Sequence, residues 1–224
     1  MKNILYSPKN PPSNDEMFFE QMTAAANAGG DILIFSENAH TPYDELLHGA
    51  DILNPDDADY VLGSLYDFSA VTDCAAVFSA VDLSGFPYAV FANALATDGD
   101  TFSKIYIKHD KTENLCAHDL DDYDECLGEI FEPIVCRGFR IGLMLGGDVH
   151  LPQLFDLYKK SGAEYIIHPT NEPQHIKTPP LTVVSCGSGG HCALSGSQDA
   201  VKEIDDNLYE ADITKKMIMT ENKR

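Results

Sequence analysis

The sequence predicts an α/β protein in which mixed β-sheets carry helices on their outer sides. Three observations lead there. Asp31-Ile-Leu-Ile-Phe35 and Ala75 to Val81 are apolar runs without alternation, the pattern of strands covered on both faces. Segments of helical period separate the early strands, and another recurs at Leu151, Leu154, Phe155 and Tyr158, spaced i, i+3, i+4, i+7. Turn signals at Leu83-Ser84-Gly85, Asp98-Gly99 and Arg137-Gly138 fold the middle of the chain into hairpins. A doubly wound parallel sheet requires more crossover helices than the pattern supplies.

Taken in order, Asn3 to Tyr6 is a short strand closed by Pro8, Pro11 and Pro12. Ser13 is a good N-cap, and Asp15 and Glu16 sit in the first turn, where the helix dipole favours acids. Phe18, Met22 and Ala25 share one face of that helix, and Gly29-Gly30 ends it. The strand Asp31–Phe35 follows. Pro55-Asp56-Asp57 opens a second helix with Tyr60, Leu62, Leu65 and Phe68 as its apolar residues. Strands are expected at 75–81, 88–96 and 103–107. His109 to Gly128 is acidic and without sustained period. Ile130 to Val135 and Arg140 to Leu145 form a hairpin, and the helix from Leu151 ends with Lys159, Lys160 and the stop signal Gly162. Ala163–His168, Leu181–Ser185, His191–Leu194 and Asn207–Ile213 complete the strands, and residues 215–224 form a polar tail behind a single domain of residues 1–214.

The chain has 224 residues, 15 Lys+Arg and 36 Asp+Glu, a formal net charge of −21. A surface this acidic repels nucleic acid and anionic membranes, so neither is expected as a partner. No run of about 18 apolar residues is present, and no long apolar stretch follows the N-terminus, so the expectation is a cytoplasmic protein. Its six cysteines, at 74, 116, 126, 136, 186 and 192, form no C-x-x-C pair and are read as free thiols.

Three segments combine chemistry with strand ends. Glu37 follows the buried strand Asp31–Phe35. Lys108 closes Ile105-Tyr-Ile-Lys108 after the Asp98-Gly99 turn. Arg140-Ile-Gly-Leu-Met-Leu-Gly-Gly-Asp-Val-His150 ends a strand in a sharp elbow ahead of Leu151-Pro152, with Gly162-Ala-Glu164 behind it. Each alone has a plain reading as a solvated terminus, a surface charge or a tight turn. Their order and spacing together resemble the nitrilase, or carbon–nitrogen hydrolase, superfamily over residues 3 to 213.

The resemblance implies an α-β-β-α sandwich, with a four-layer αββα–αββα homodimer formed through the face bearing the Leu151–Gly162 helix. It assigns Glu37 as general base, Lys108 as the cation facing the tetrahedral oxyanion, and position 146 as that of the nucleophilic cysteine. A thiol needs a base and a nearby cation to become a thiolate, and the amide oxygen needs fixed positive charge where negative charge develops. Here position 146 is glycine, Gly147 replaces a bulkier residue, and His150 stands where an Arg-like residue is usual. Asp148 matches the elbow motif. A second family glutamate falls at Glu113 or Glu125. The stretch from Asn171 to Leu181, with Pro173, Pro179 and Pro180, leaves no room for the long helix that family members place there.

Gly146 offers no nucleophile, so the expected function is non-hydrolytic binding or regulation. The ligand would be a small amide or carboxylate, held by Lys108 with Gly147, Asp148, His150 and Glu113 around it. Glu37 and Lys108 are expected to pair directly or through water. The alternative is an active amidase for linear C–N bonds, using Cys136, Cys186 or Cys192, or water activated by Glu37. No cofactor or metal is implied. Cys186-Gly-Ser-Gly-Gly-His191-Cys192 matches no zinc spacing and reads as a Gly-rich hairpin, and Cys116-Ala-His118 with Asp119–Asp124 reads as a solvated acidic loop.

Overall fold

The computed structural model describes residues 1–9, 12–37, 39, 41–108, 132–171, 176, 179–196 and 201–214. Its first sheet begins with β1 (Lys2–Tyr6) parallel to β2 (Ile32–Phe35), which is parallel to β3 (Ala75–Val81). Antiparallel strands extend both sides: β4 (Pro87–Ala92) and β5 (Ser103–Ile107) beyond β3, and β12 (Leu208–Asp212) and β11 (Lys202–Asp205) beyond β1. The order is β11-β12-β1-β2-β3-β4-β5.

The second sheet repeats the plan. Its centre is the parallel set β7 (Phe139–Leu143), β8 (Tyr165–Pro169) and β9 (Thr182–Cys186), flanked by antiparallel β6 (Ile134–Cys136) and β10 (Cys192–Ser195).

Residue period 2 divides the core. In β2, Ile32 and Ile34 enter one cluster with Leu5, Val77 and Phe91 of their own sheet and Ile141, Leu143 and Ile167 of the other, so the two sheets pack face to face. Leu33 and Phe35 point the opposite way, into a cluster with Phe18 and Met22 of α1 (Asp15–Asn27) and Val61, Leu65 and Phe68 of α3 (Pro55–Thr72). This is why the run reads as apolar without alternation: sheet lies on one side and helix on the other. Phe35 stacks on Phe78 at 4.2 Å and meets Phe18, Phe68 and Tyr6. Phe35→Ala is expected to cost about 3 to 5 kcal/mol of stability, measured by urea unfolding.

The outer layer of the second sheet is α4 (Pro152–Ser161), which buries Leu154, Phe155 and Tyr158. The Tyr158 ring crosses β7 at Gly142, where an added Cβ would lie 2.8 Å from the ring, and its hydroxyl donates to the Leu143 carbonyl at 2.5 Å. The apolar stripe of this helix is thus consumed by its own sheet, leaving Leu157 as the exposed large apolar residue on α4. The stripe therefore supplies no argument for a homodimer through that face.

Several local expectations are corrected. The N-cap of α1 is Asn14, whose side chain accepts from Met17 N–H at 2.9 Å, while the Ser13 hydroxyl turns to the Met17 sulfur. Tyr60 is 68% exposed, and Val61 takes its place in the core, one step round the helix. The expected strand 88–96 stops at Ala92, where the Asn93 side chain accepts from Leu95 N–H and turns the chain. The short helix α2 (Asp44–Gly49) and the edge strand β11 are additional elements. Glu113, Glu125, the acidic loop and the tail 215–224 lie outside the described residues.

Candidate active site

Strand ends build the site. β2 gives way at Ser36, whose N–H donates to the Tyr6 carbonyl, and Glu37 follows with its N–H toward the Thr170 carbonyl at 3.4 Å. Lys108 comes directly after β5; its N–H donates to the Pro87 carbonyl at 2.9 Å, and the residue is 4% exposed. The elbow follows β7. Leu145 is extended, Gly146 adopts φ +52°, and Gly146–His150 forms a single 3-10 turn.

These three places converge. A Cβ built on Gly146 would lie 2.9 Å from Lys108 Nζ, 3.1 Å from its Cε, and 3.7 Å from Glu37 Oε1. The ammonium and the carboxylate therefore flank one point, the point where any side chain at position 146 would begin. A residue other than glycine there needs Lys108 to move aside and tolerates the left-handed backbone at a cost of about 1 to 2 kcal/mol.

Asp148 holds the elbow's shape. It is fully buried, accepts from the Tyr106 hydroxyl at 2.6 Å and from Leu145 N–H at 3.4 Å, and its own N–H donates to the Leu145 carbonyl. Tyr106 on β5 and Lys108 just past its end are two apart, the spacing at which extended residues share a side, and the Tyr106–Asp148 bond ties the segment carrying the lysine to the elbow. Burial, followed by the Asp148 charge, raises the Tyr106 hydroxyl well above its usual pKa, which keeps it a donor. Asp148, read from the sequence as a binding residue, sits within this anchor. Gly147 lies in the turn itself and His150 is exposed at its end.

His168 is a site residue that the sequence reading passed over as part of a strand. It is fully buried on β8, with Nε2 2.8 Å from the Gly146 carbonyl oxygen and Nδ1 3.0 Å from Ser185 Oγ. A carbonyl only accepts, so Nε2 carries the proton and Nδ1 accepts from the serine hydroxyl. The neutral imidazole thereby fixes the glycine peptide. Burial pulls the His168 pKa down to about 4, the charges of His150 and Lys108 act in the same direction, and the bond to Gly146 opposes them.

This has a definite consequence for stability. A histidine whose folded pKa lies below its unfolded value near 6.5 contributes stability that is complete above pH 6.5 and is lost as pH falls toward 4. The contribution is about 2 to 3 kcal/mol between pH 7 and pH 4.5. Urea unfolding at the two pH values is expected to show that difference in the wild type, and His168→Gln is expected to shrink it by that amount.

The alternative thiols are poorly placed for nucleophilic work. Cys136 is buried on β6, and burial pushes its thiol up to about 12. Cys186 is fully buried with its sulfur directed to the Tyr6 and Ile34 carbonyls, and burial raises it well above the usual value. Neither is a thiolate at neutral pH. Cys192 is partly buried and faces Cys186. No helix among the described residues is long and apolar enough to cross a membrane.

No protein-family model matches the chain, and no curated protein matches it. Solved structures do. The amidase from Nesterenkonia sp. is similar at 14% identity and TM-score 0.61, over 95% of this chain and 90% of that one. A mutant of the Nesterenkonia sp. AN1 amidase carrying acrylamide added at its active-site cysteine matches at 14% identity and TM-score 0.59, over 96% and 93%. An alanine-for-cysteine mutant of the same amidase in complex with butyramide matches at 14% identity and TM-score 0.60, over 95% and 90%. A further mutant of that enzyme is described as belonging to the nitrilase superfamily. Two mixed sheets face to face, with helices outside and an elbow after a central strand, give this chain the fold of the nitrilase-superfamily amidases.

Proposed function

We propose that the chain is a non-hydrolytic binding protein for small primary amides, built on the amidase fold. The observation that carries this reading is Gly146, a residue with no nucleophile at the point flanked by Lys108 Nζ and Glu37 Oε1. Without a side-chain nucleophile there is no acyl-enzyme, and comparable deletions in hydrolases cost about six orders of magnitude in rate. Binding does not need the thiol: the Nesterenkonia amidase mutant with alanine for cysteine holds butyramide. A primary amide matches the pair of charges, since its oxygen accepts from the lysine ammonium and its N–H groups donate to the glutamate carboxylate. A carboxylate satisfies the lysine but is repelled by the glutamate.

Calorimetry with butyramide and butyrate tests the proposal. Butyramide is expected to bind about tenfold or more tightly than butyrate, and Lys108→Ala to weaken it about 10- to 100-fold, the range of a charge-assisted hydrogen bond. Ammonia release from butyramide is expected to stay at the background rate. Release by the wild type that vanishes in Glu37→Gln would replace this reading with hydrolysis by water that Glu37 activates. Equal or absent binding of both probes would end it.

A further inference from the structure

The segment Cys186-Gly-Ser-Gly-Gly-His191-Cys192 has a second use that the amide site does not absorb. β9 and β10 are antiparallel, and Cys186 is the direct register partner of Cys192. The next pair outward, Gly187 and His191, is joined by a Gly187 N–H bond to the His191 carbonyl at 2.8 Å. The ladder alternates, so the cysteine pair is of the non-hydrogen-bonded kind, in which Cα atoms lie about 4.5 Å apart and side chains are closest. That spacing falls within the range of about 4.4 to 6.8 Å that a disulfide bridges. Both thiols are free. Cys186 is fully buried, while Cys192 is partly exposed at the sheet edge, since β10 is the terminal strand.

We infer that Cys186 and Cys192 form a reversible dithiol–disulfide site, oxidised by low-molecular-weight disulfides that reach Cys192 from solvent. The steps balance as thiol–disulfide exchange. The Cys192 sulfur, deprotonated, attacks one sulfur of the small disulfide, breaks its S–S bond and releases one small thiolate. The Cys186 sulfur, losing its proton, attacks the Cys192 sulfur of the mixed disulfide and expels the second small thiol. Two protein thiols are oxidised, one small disulfide is reduced to two thiols, and the protein's two protons end on them. Because burial holds Cys186 protonated, the second step is the slow one and accelerates with rising pH. The pair stands two backbone hydrogen bonds from Glu37, through Thr170 N–H to the Cys186 carbonyl at 3.0 Å and Glu37 N–H to the Thr170 carbonyl at 3.4 Å.

The full-length chain, folded and reduced, is incubated with oxidised glutathione across a range of pH, quenched with acid, alkylated and mapped by peptide mass spectrometry. The expected product is a Cys186–Cys192 intrachain disulfide, about 2 Da lighter than the dithiol, formed faster at higher pH and reversed by reduced glutathione. Cys192→Ser is expected to abolish it and leave Cys186 open to alkylation only after denaturation. Cys186→Ala is expected to accumulate a stable glutathione adduct on Cys192. A wild type that stays a dithiol under excess oxidised glutathione, or stops at the Cys192 adduct, would overturn the inference. So would pairing of either cysteine with a different one. These readouts need no amide ligand, so they stand or fall separately from the binding proposal.

Discussion

Asp148→Ala is expected to lower stability by about 3 to 5 kcal/mol, seen as an apparent Tm lower by about 10 °C. The residue is fully buried, and truncation leaves the Tyr106 hydroxyl and the Leu145 N–H without the acceptor they now share. Each buried donor left unmatched costs about 1 to 3 kcal/mol, and the elbow loses the contact that joins it to β5. Tyr106→Phe removes only one partner and is expected to cost about 1 to 2 kcal/mol. Because the two residues share one bond, the double variant is expected to fall short of the sum of the single losses. Additive losses would show that the Tyr106–Asp148 bond contributes little. The same cycle separates anchoring from ligand contact: an anchor lowers the unfolding midpoint with no ligand present, whereas a residue that only touches ligand leaves it unchanged.

Much of the fold was legible because burial on two sides writes itself as an unbroken apolar run. Ile32 to Phe35 and Ala75 to Ala80 announce central strands without any knowledge of what covers them. Their cover was legible too, since Phe18, Met22 and Ala25 recur at helical spacing. Where the reading failed, neighbours outweighed local pattern. Tyr60 has the apolar spacing of a core residue, yet Val61 and Leu65 sit where the sheet is. β11 (Lys-Glu-Ile-Asp) carries almost no apolar signal because it is an edge strand whose residues are mostly exposed, and only pairing with β12 makes it a strand.

The site divides in the same way. Glu37, Lys108 and Gly146 could be nominated because each follows a strand end and their order together resembles the nitrilase superfamily; each alone had a plain reading. The residues that hold them could not. Tyr106 looks like a β-branched neighbour's apolar companion, and its hydroxyl acquires meaning only when β5 is laid against the elbow. His168 reads as one more strand residue. Its Nε2–H to the Gly146 carbonyl and its acceptance from Ser185 join three separate strand ends, a relation between β7, β8 and β9 that no linear spacing encodes.

Gly146→Cys is expected to create a thiol that is alkylated about tenfold faster at pH 7 than an unperturbed one. The reasoning is electrostatic. A Cβ at 146 begins 2.9 Å from the Lys108 ammonium and 3.7 Å from a Glu37 oxygen, so the cation is the nearer charge and favours the thiolate. One unit of downward shift multiplies the thiolate fraction about tenfold below the thiol's pKa. Two terms oppose it: Lys108 must swing aside, at small cost because its tip is flexible, and φ +52° penalises a side chain by about 1 to 2 kcal/mol. The variant should therefore fold with slightly reduced stability. The signs can be separated in double variants. Adding Lys108→Ala is expected to move the pH midpoint of iodoacetamide alkylation up, and adding Glu37→Gln to move it down. An unchanged midpoint with Lys108→Ala would mean that the ammonium does not face position 146 in solution. Ammonia release from butyramide is expected to rise above the wild-type background in Gly146→Cys. A nucleophile's absence costs about six orders of magnitude, so recovery of even a small fraction is measurable. A reactive thiol with no ammonia release would place the defect in the pocket around the amide rather than at the nucleophile alone.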